Sequence, residues 1–228
     1  MNKKIRDSET GEVEGLTEDM VISQGIIFLA AGFETTASTM SILLYNLAKH
    51  PQIQEKCYEE IANILTDEDK EINYDTIAEM TYLEACIQET LRLYPIVLRN
   101  QRYCSKDSSI NGMVIKEGTG IIVPTWAMHR NSELFGEDAK MFVPERFLDG
   151  RMTEPIANYT FHAFGGGPRS CIGMRFAMTE MKIAMAKLLT TFSFEDEPSV
   201  TNLALAKGAY FLLTYPDMKL RIKTRNKH

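Results

Sequence analysis

Between Val21 and Leu47 most positions are apolar, and small or hydroxyl-bearing residues fill the gaps. Thr17 offers an N-cap oxygen, and Glu18 and Asp19 follow near the positive end of a helix dipole. Together these predict one long helix from 17 to about 49. His50-Pro51 stops it, because the residue before a proline is driven out of the helical region. Pro51 in turn suits the first turn of a second helix over 51–65. The polar run TDEDKE leads to a short helical stretch near 74–80 and a further helix over 82–94 that ends at Tyr94-Pro95. The period then shortens. Residues 101–104, 110–115 and 119–123 read as short strands, with Asn111-Gly112 as a hairpin turn. Residues 124–170 are irregular and dense in Pro, Gly and aromatics. A final strong helix is predicted over 173–191, followed by strands over 209–214 and 218–223. Residues 1–16 read as a polar lead-in. The pattern is that of a mainly helical α+β fold.

Composition changes this picture little. The 228 residues carry 25 Lys+Arg against 31 Asp+Glu, a net charge of −6, with 44% hydrophobic and 25% charged residues. This is ordinary globular composition, long enough for one or two domains with a real core. The mild acidity excludes any general expectation of nucleic-acid binding. Cys57, Cys86, Cys104 and Cys171 contain no CxxC pair, which argues against a zinc ribbon or a thioredoxin-like site. They read as reduced thiols, and the first three as small buried hydrophobes. His50, His129, His162 and His228 are scattered without ligand spacing. The first residues have no apolar run, so neither signal peptide nor anchor is expected there. Residues 25–48 are apolar enough to raise the question of a membrane span. Glu34 sits amid hydroxyl residues in that stretch, and a central acid costs about 2.5–3.5 kcal/mol on insertion scales. A buried helix with a functional polar notch is the better reading.

Three stretches carry chemistry. Phe164-Gly165-Gly166-Gly167-Pro168-Arg169-Ser170-Cys171-Ile172-Gly173 opens directly into the last predicted helix. Its glycines let the backbone approach something flat and bulky, and Arg169 offers a fork of donors to an anionic group. A cysteine just before a helix N-terminus meets orphan N–H groups and positive dipole, which favour the thiolate. Cys171 therefore suits a nucleophile or a soft metal ligand. The second stretch, Ala31-Gly32-Phe33-Glu34-Thr35-Thr36, places a glycine and back-bonding threonines inside a helix. That conflict is expected where a helix makes room for a ligand, or for a tightly packed neighbour. In the third, Glu89 and Arg92 share a helix face at i, i+3 beside apolar neighbours. Burial would demand a further partner, and Arg146 in Pro144-Glu145-Arg146-Phe147 is the candidate.

These stretches and the Pro-Glu-Arg-Phe motif, in the chain order 31–36, 89–92, 144–147 and 164–173, resemble the C-terminal half of a cytochrome P450, a haem-thiolate monooxygenase. The resemblance runs from about residue 16 to 224. ETLRLYPIVLR, INGMVI and CIGMRFA are similar to the animal microsomal group that includes drug- and steroid-oxidising enzymes. The resemblance implies the haem-binding half of that fold, mainly helical with small β-sheets, over 17–228. It implies haem b with Cys171 as axial thiolate on the iron, Phe164 beside the sulfur, and Gly167 within the loop. Arg169 and Arg99 match partners of the haem propionates. Ala31 and Gly32 match the distal helix, where Gly32 makes room for dioxygen and Thr35 with Glu34 helps deliver protons. Glu89, Arg92 and Arg146 match a buried structural triad. Ile96, Val97, Leu98 and the Gly208–Phe211 turn match the substrate side.

The implied partners are a lipophilic small-molecule substrate and a flavoprotein reductase, with no nucleic acid. The implied location is the cytosolic face of the endoplasmic reticulum membrane. Members of this family are more than twice as long, so the anchor and a large N-terminal half are expected to lie outside this chain. Apolar surface that faces that half is then expected to be exposed. Two alternatives stay open from the residues alone: a non-catalytic fragment or pseudoenzyme that keeps the signature, and a haem-binding or interaction module without oxygenase chemistry.

Overall fold

In the computed structural model, the described residues are 4–6, 13–15, 17–65, 71–152, 159–197 and 218–225. Helix α1 spans Glu18–Lys49. The Thr17 hydroxyl accepts from the Met20 amide at 3.2 Å, satisfying one of the donors a helix start leaves orphaned. His50 ends the helix, and Pro51 opens α2 (Pro51–Ile64). Asn73 and Thr76 form a reciprocal capping box at the start of α3 (Tyr74–Glu79). Helix α4 (Thr81–Leu93) has no cap of its own. Glu60 of α2 supplies one, accepting from the Tyr82 and Leu83 amides at 2.7 and 2.9 Å.

The core lies where α1, α2, α4 and the last helix, α7 (Met174–Thr191), meet. Ile42, Leu43, Leu47, Cys57, Ile61, Leu83, Ile87, Met181, Met185 and Leu189 are buried there. Truncating one such Leu to Ala costs about 2–5 kcal/mol. Burial of α1 begins only at Thr36. The expectation of a helix buried throughout therefore holds for its C-terminal part alone. Upstream, Ile22, Ile26, Ile27, Phe28, Leu29 and Phe33 are all exposed. Among the described residues α1 is the one helix long and apolar enough to cross a membrane, and 22% of its most apolar window is buried.

The described residues also form four two-stranded antiparallel sheets. Strands β1 (Lys4–Arg6) and β2 (Val13–Gly15) pair, so the stretch read as a plain polar lead-in carries local structure. Strand β3 (Asn100–Tyr103) pairs with β6 (Gly120–Val123), and β4 (Ser108–Ile110) with β5 (Met113–Ile115). The β4–β5 turn has Asn111 at φ 48° and Gly112 at φ 80°, the two positive values a type I′ turn requires. Helices α5 (Thr125–Met128) and α6 (Ser132–Phe135) and a 3₁₀ turn at Pro144–Phe147 occupy the segment read as irregular. Strand β7 (Phe192–Asp196) follows α7 without a break and pairs with β8 (Leu220–Thr224). The buried Gln54 side chain holds β7 to the helices. Its amide donates to Leu47 and Phe194 carbonyls and accepts from the Phe194 N–H at 2.8 Å. The strand expected over 209–214 and the Gly208–Phe211 turn lie outside the described residues.

Candidate haem-binding site

The cysteine loop is set by its glycines. Gly165 and Gly167 sit at φ 73° and 71°, the left-handed region that disfavours a side chain. A Cβ on Gly166 would come within 3.0 Å of the His162 ring. The loop folds back so that the Cys171 amide donates to the Phe164 carbonyl at 2.8 Å, and the Ser170 amide to Gly167 at 3.0 Å. Phe164 is half-buried against the core, while Cys171 and Arg169 are exposed. Ile172 and Phe176 are 86% and 72% exposed, so the thiol is flanked by open apolar surface. Helix α7 begins at Met174, with Gly173 as its cap.

Strand β3 borders this loop. A Cβ on Gly165 would lie 3.5 Å from the Asn100 Oδ1. Arg99, exposed, immediately precedes that residue. The structure thus brings Arg99, Gly165, Gly167, Arg169 and Cys171 to one region. Ala31, Gly32 and Glu34 lie on the exposed part of α1, and Thr35 is half-buried. The Thr35 hydroxyl donates to the Ala31 carbonyl at 2.6 Å, and Thr39 repeats this onto Thr35 at 2.8 Å. Nothing lies within 4 Å of where a Gly32 Cβ would be. Among the described residues no hydrogen bond joins this turn to the cysteine loop, although α1 and α7 pack together. Ile96 is buried in the core, whereas Val97 is exposed. A cleft of about 490 Å³ lined by Arg130, Asn131, Ser132, Glu137, Ala139 and Lys140 contains none of the residues singled out from the sequence.

Glu89, Arg92 and Arg146 are fully buried together. Glu89 accepts from Arg92 Nε and Nη2 at 2.7 and 2.8 Å, from Arg146 Nε at 3.1 Å, and from the Val143 amide at 2.8 Å. Arg92 also donates to the carbonyls of His129, Ala139 and Met141, and Arg146 to those of Phe135 and Asp138. Two guanidiniums against one carboxylate leave one positive charge. Asp138, 3.1 Å from Arg146, offsets it, and Arg151, bridged to Asp138 at 2.8 Å, is balanced in turn by Asp149. Burial pushes the Asp138 carboxyl up, but Arg151 and Arg146 outweigh it and hold it below the usual range. This network ties α4 to the segment that leads into the cysteine loop.

His129 was not legible as part of this frame. It is fully buried, and its ring nitrogens face the Arg92 carbonyl at 3.0 Å and the His162 amide at 2.9 Å. An amide can only donate, so Nε2 accepts and Nδ1 carries the proton that Arg92 receives. Burial, joined by the charges of Arg92, His162 and Arg130, outweighs the bond to Arg92 and pulls the imidazole pKa down to about 3. Cys104, expected to be buried, is half-buried and donates to the Lys106 carbonyl at 3.0 Å.

A helical core carrying an exposed cysteine on a glycine-shaped loop, with a buried Glu-Arg-Arg frame, agrees with the haem-thiolate fold that the sequence motifs resemble. The cytochrome P450 family model matches residues 1–222, and the chain belongs to that family. It is 40% identical over 228 aligned positions to cytochrome P450 3A27 of Oncorhynchus mykiss, covering 98% of this chain and 43% of that protein. It is 44% identical over 182 positions to cytochrome P450 3A29 of Sus scrofa, covering 80% of this chain and 36% of that protein. Against cytochrome P450 3A7 of Homo sapiens it is 39% identical over 226 positions, covering 99% and 44%. The chain spans about two-fifths of the length of these relatives. Family membership implies haem iron ligated by a cysteine thiolate. The residues present fit that group: a soft sulfur donor, open apolar flanks, a loop without side chains at Gly165–Gly167, and arginines for carboxylates nearby.

Proposed function

We propose that this chain supplies the haem-holding part of a monooxygenase that oxidises lipophilic small molecules with dioxygen and reductase-supplied electrons. The carrying observation is the exposed Cys171 on a loop whose carbonyl-bonded backbone and glycines present the sulfur to an open apolar face. When bound, haem supplies the dioxygen and one-electron chemistry, and a thiolate ligand favours O–O cleavage. This chain's residues do the rest. Cys171 would hold the iron, Phe164 would stand beside the sulfur, and Arg169 and Arg99 would take the propionates. Ala31 and Gly32 would leave room for dioxygen. The Thr35 hydroxyl, which donates to the Ala31 carbonyl, would hold a proton on that side, with the exposed Glu34 next to it in sequence. Glu89, Arg92 and Arg146 are fold residues.

By family, the electron donor is a flavoprotein reductase and the location is the cytosolic face of the endoplasmic reticulum membrane. The 3A relatives favour the microsomal, drug- and steroid-oxidising group. Purified chain given haem, reduced and exposed to carbon monoxide is the test. A strongly red-shifted Soret band that disappears in Cys171→Ser is the expected result. Absence of haem uptake by the wild-type chain overturns the reading.

A further inference from the structure

His129 is a buried residue whose bonds reach both the triad network and the segment feeding the cysteine loop. Its main chain accepts from Arg92 Nη1 at 2.6 Å and its ring donates to the Arg92 carbonyl, so two bonds fix it to α4. Phe161 stacks on the ring at 5.4 Å and 16°, Phe135 meets it edge-on at 6.0 Å, and Phe147 closes on Phe161 at 5.3 Å. With the ring so held, Nε2 is a fixed acceptor aimed at the His162 N–H. The chain of contact continues from there. The His162 carbonyl accepts from the Gly165 amide at 3.0 Å, and the His162 ring packs so close to Gly166 that a Cβ there would lie 3.0 Å from it. Phe164 then receives the Cys171 amide.

We infer that His129 is a positioning residue for the cysteine loop, transmitting the placement of the Glu89–Arg92–Arg146 frame to Cys171 through the His162 backbone amide. The inference deepens the reading of Cys171 as a ligand and rests on it for its functional meaning, while the positioning itself is measurable without haem. It requires a neutral ring with one defined tautomer, which the burial of His129 supplies. A protonated ring would turn Nε2 from acceptor to donor and repel the His162 N–H.

The test uses two amide replacements that each keep half of the imidazole's bonding. In His129→Asn the amide group falls near Nδ1, so the bond to Arg92 survives and the acceptor for His162 is lost. In His129→Gln it falls near Nε2, so that acceptor survives. Hydrogen exchange of the full chain, read at the His162 and Cys171 amides, is expected to quicken by about tenfold or more in His129→Asn, as an unsatisfied buried donor requires. It is expected to stay within about threefold of wild type in His129→Gln, with α4 amides unchanged in both. Alkylation of Cys171, ratioed to Cys104 in the same sample, is expected to change in the Asn variant only. Identical loop exchange in the two variants, or equal loss of protection across α4 and the loop, overturns the inference. Haem uptake separates the two claims. Failure of every variant and the wild type to take up haem overturns the proposed function, and leaves the exchange result to stand or fall alone.

Discussion

Glu89 is the residue on which most of the internal charge balance turns. Glu89→Gln keeps the shape and removes the negative charge, leaving Arg92 and Arg146 buried against a neutral amide. Breaking such a network costs about 3–5 kcal/mol, which urea unfolding of the full chain reads directly. His129 contributes a pH dependence of definite sign. The unfolded chain takes a proton near 6.5, whereas the folded chain does not until about pH 3. Its contribution is therefore complete above the unfolded value and is lost as pH falls through this window, by about 1.4 kcal/mol per pH unit. Urea melts at pH 6.5 and 5 are expected to differ by about 2 kcal/mol more in wild type than in His129→Gln. The thiols divide sharply. Cys57 and Cys86 lie 3.4 Å apart in the core, and burial followed by the Cys57 contact pushes the Cys86 thiol well up. A charged alkylating agent is expected to label Cys171 in the native chain and reach those two only after unfolding.

At the scale of elements, the helices were legible because their period, caps and prolines agree. Thr17 and Pro51 mark real helix starts, and Asn111-Gly112 marks a real hairpin. What escaped is what tertiary contact supplies. Strand β7 abuts α7 with no turn signal between Thr191 and Phe192, and its attachment to the helices runs through Gln54, 140 positions away. The start of α4 is satisfied by Glu60 of another helix, which no local pattern reveals. The site divides the same way. Cys171, Arg169 and the Glu89 triad stand in motifs that resemblance can read, whereas His129 is a single histidine whose role exists only once the chain is folded. Gly32 tests the element directly. With open space at its Cβ position, Gly32→Ala is expected to raise the thermal stability of the chain by about 1 kcal/mol. If the residue makes room for a distal ligand, the same change lowers carbon monoxide affinity in the haem-loaded chain.

For the whole molecule, the open face of α1 dominates behaviour in solution. Ile22, Ile26, Leu29 and Phe33 recur at spacings of four, three and four along one exposed side of the helix. Contiguous apolar surface of this kind drives association. Sedimentation velocity is expected to show concentration-dependent self-association of the chain, relieved by the double change Ile26→Lys with Leu29→Lys. Neither substitution touches the core, which draws on α1 only from Thr36 onward.

The frame around Glu89 also has a consequence in time. Every group in it, from Glu89 through His129 and Arg146 to Cys171, lies within residues 89–171, so none of its bonds waits for α1 or for α7. Such a frame can close in a growing chain once residue 171 has left the ribosome. The loop that presents the sulfur is then already shaped when α7 arrives to seal the core beneath it.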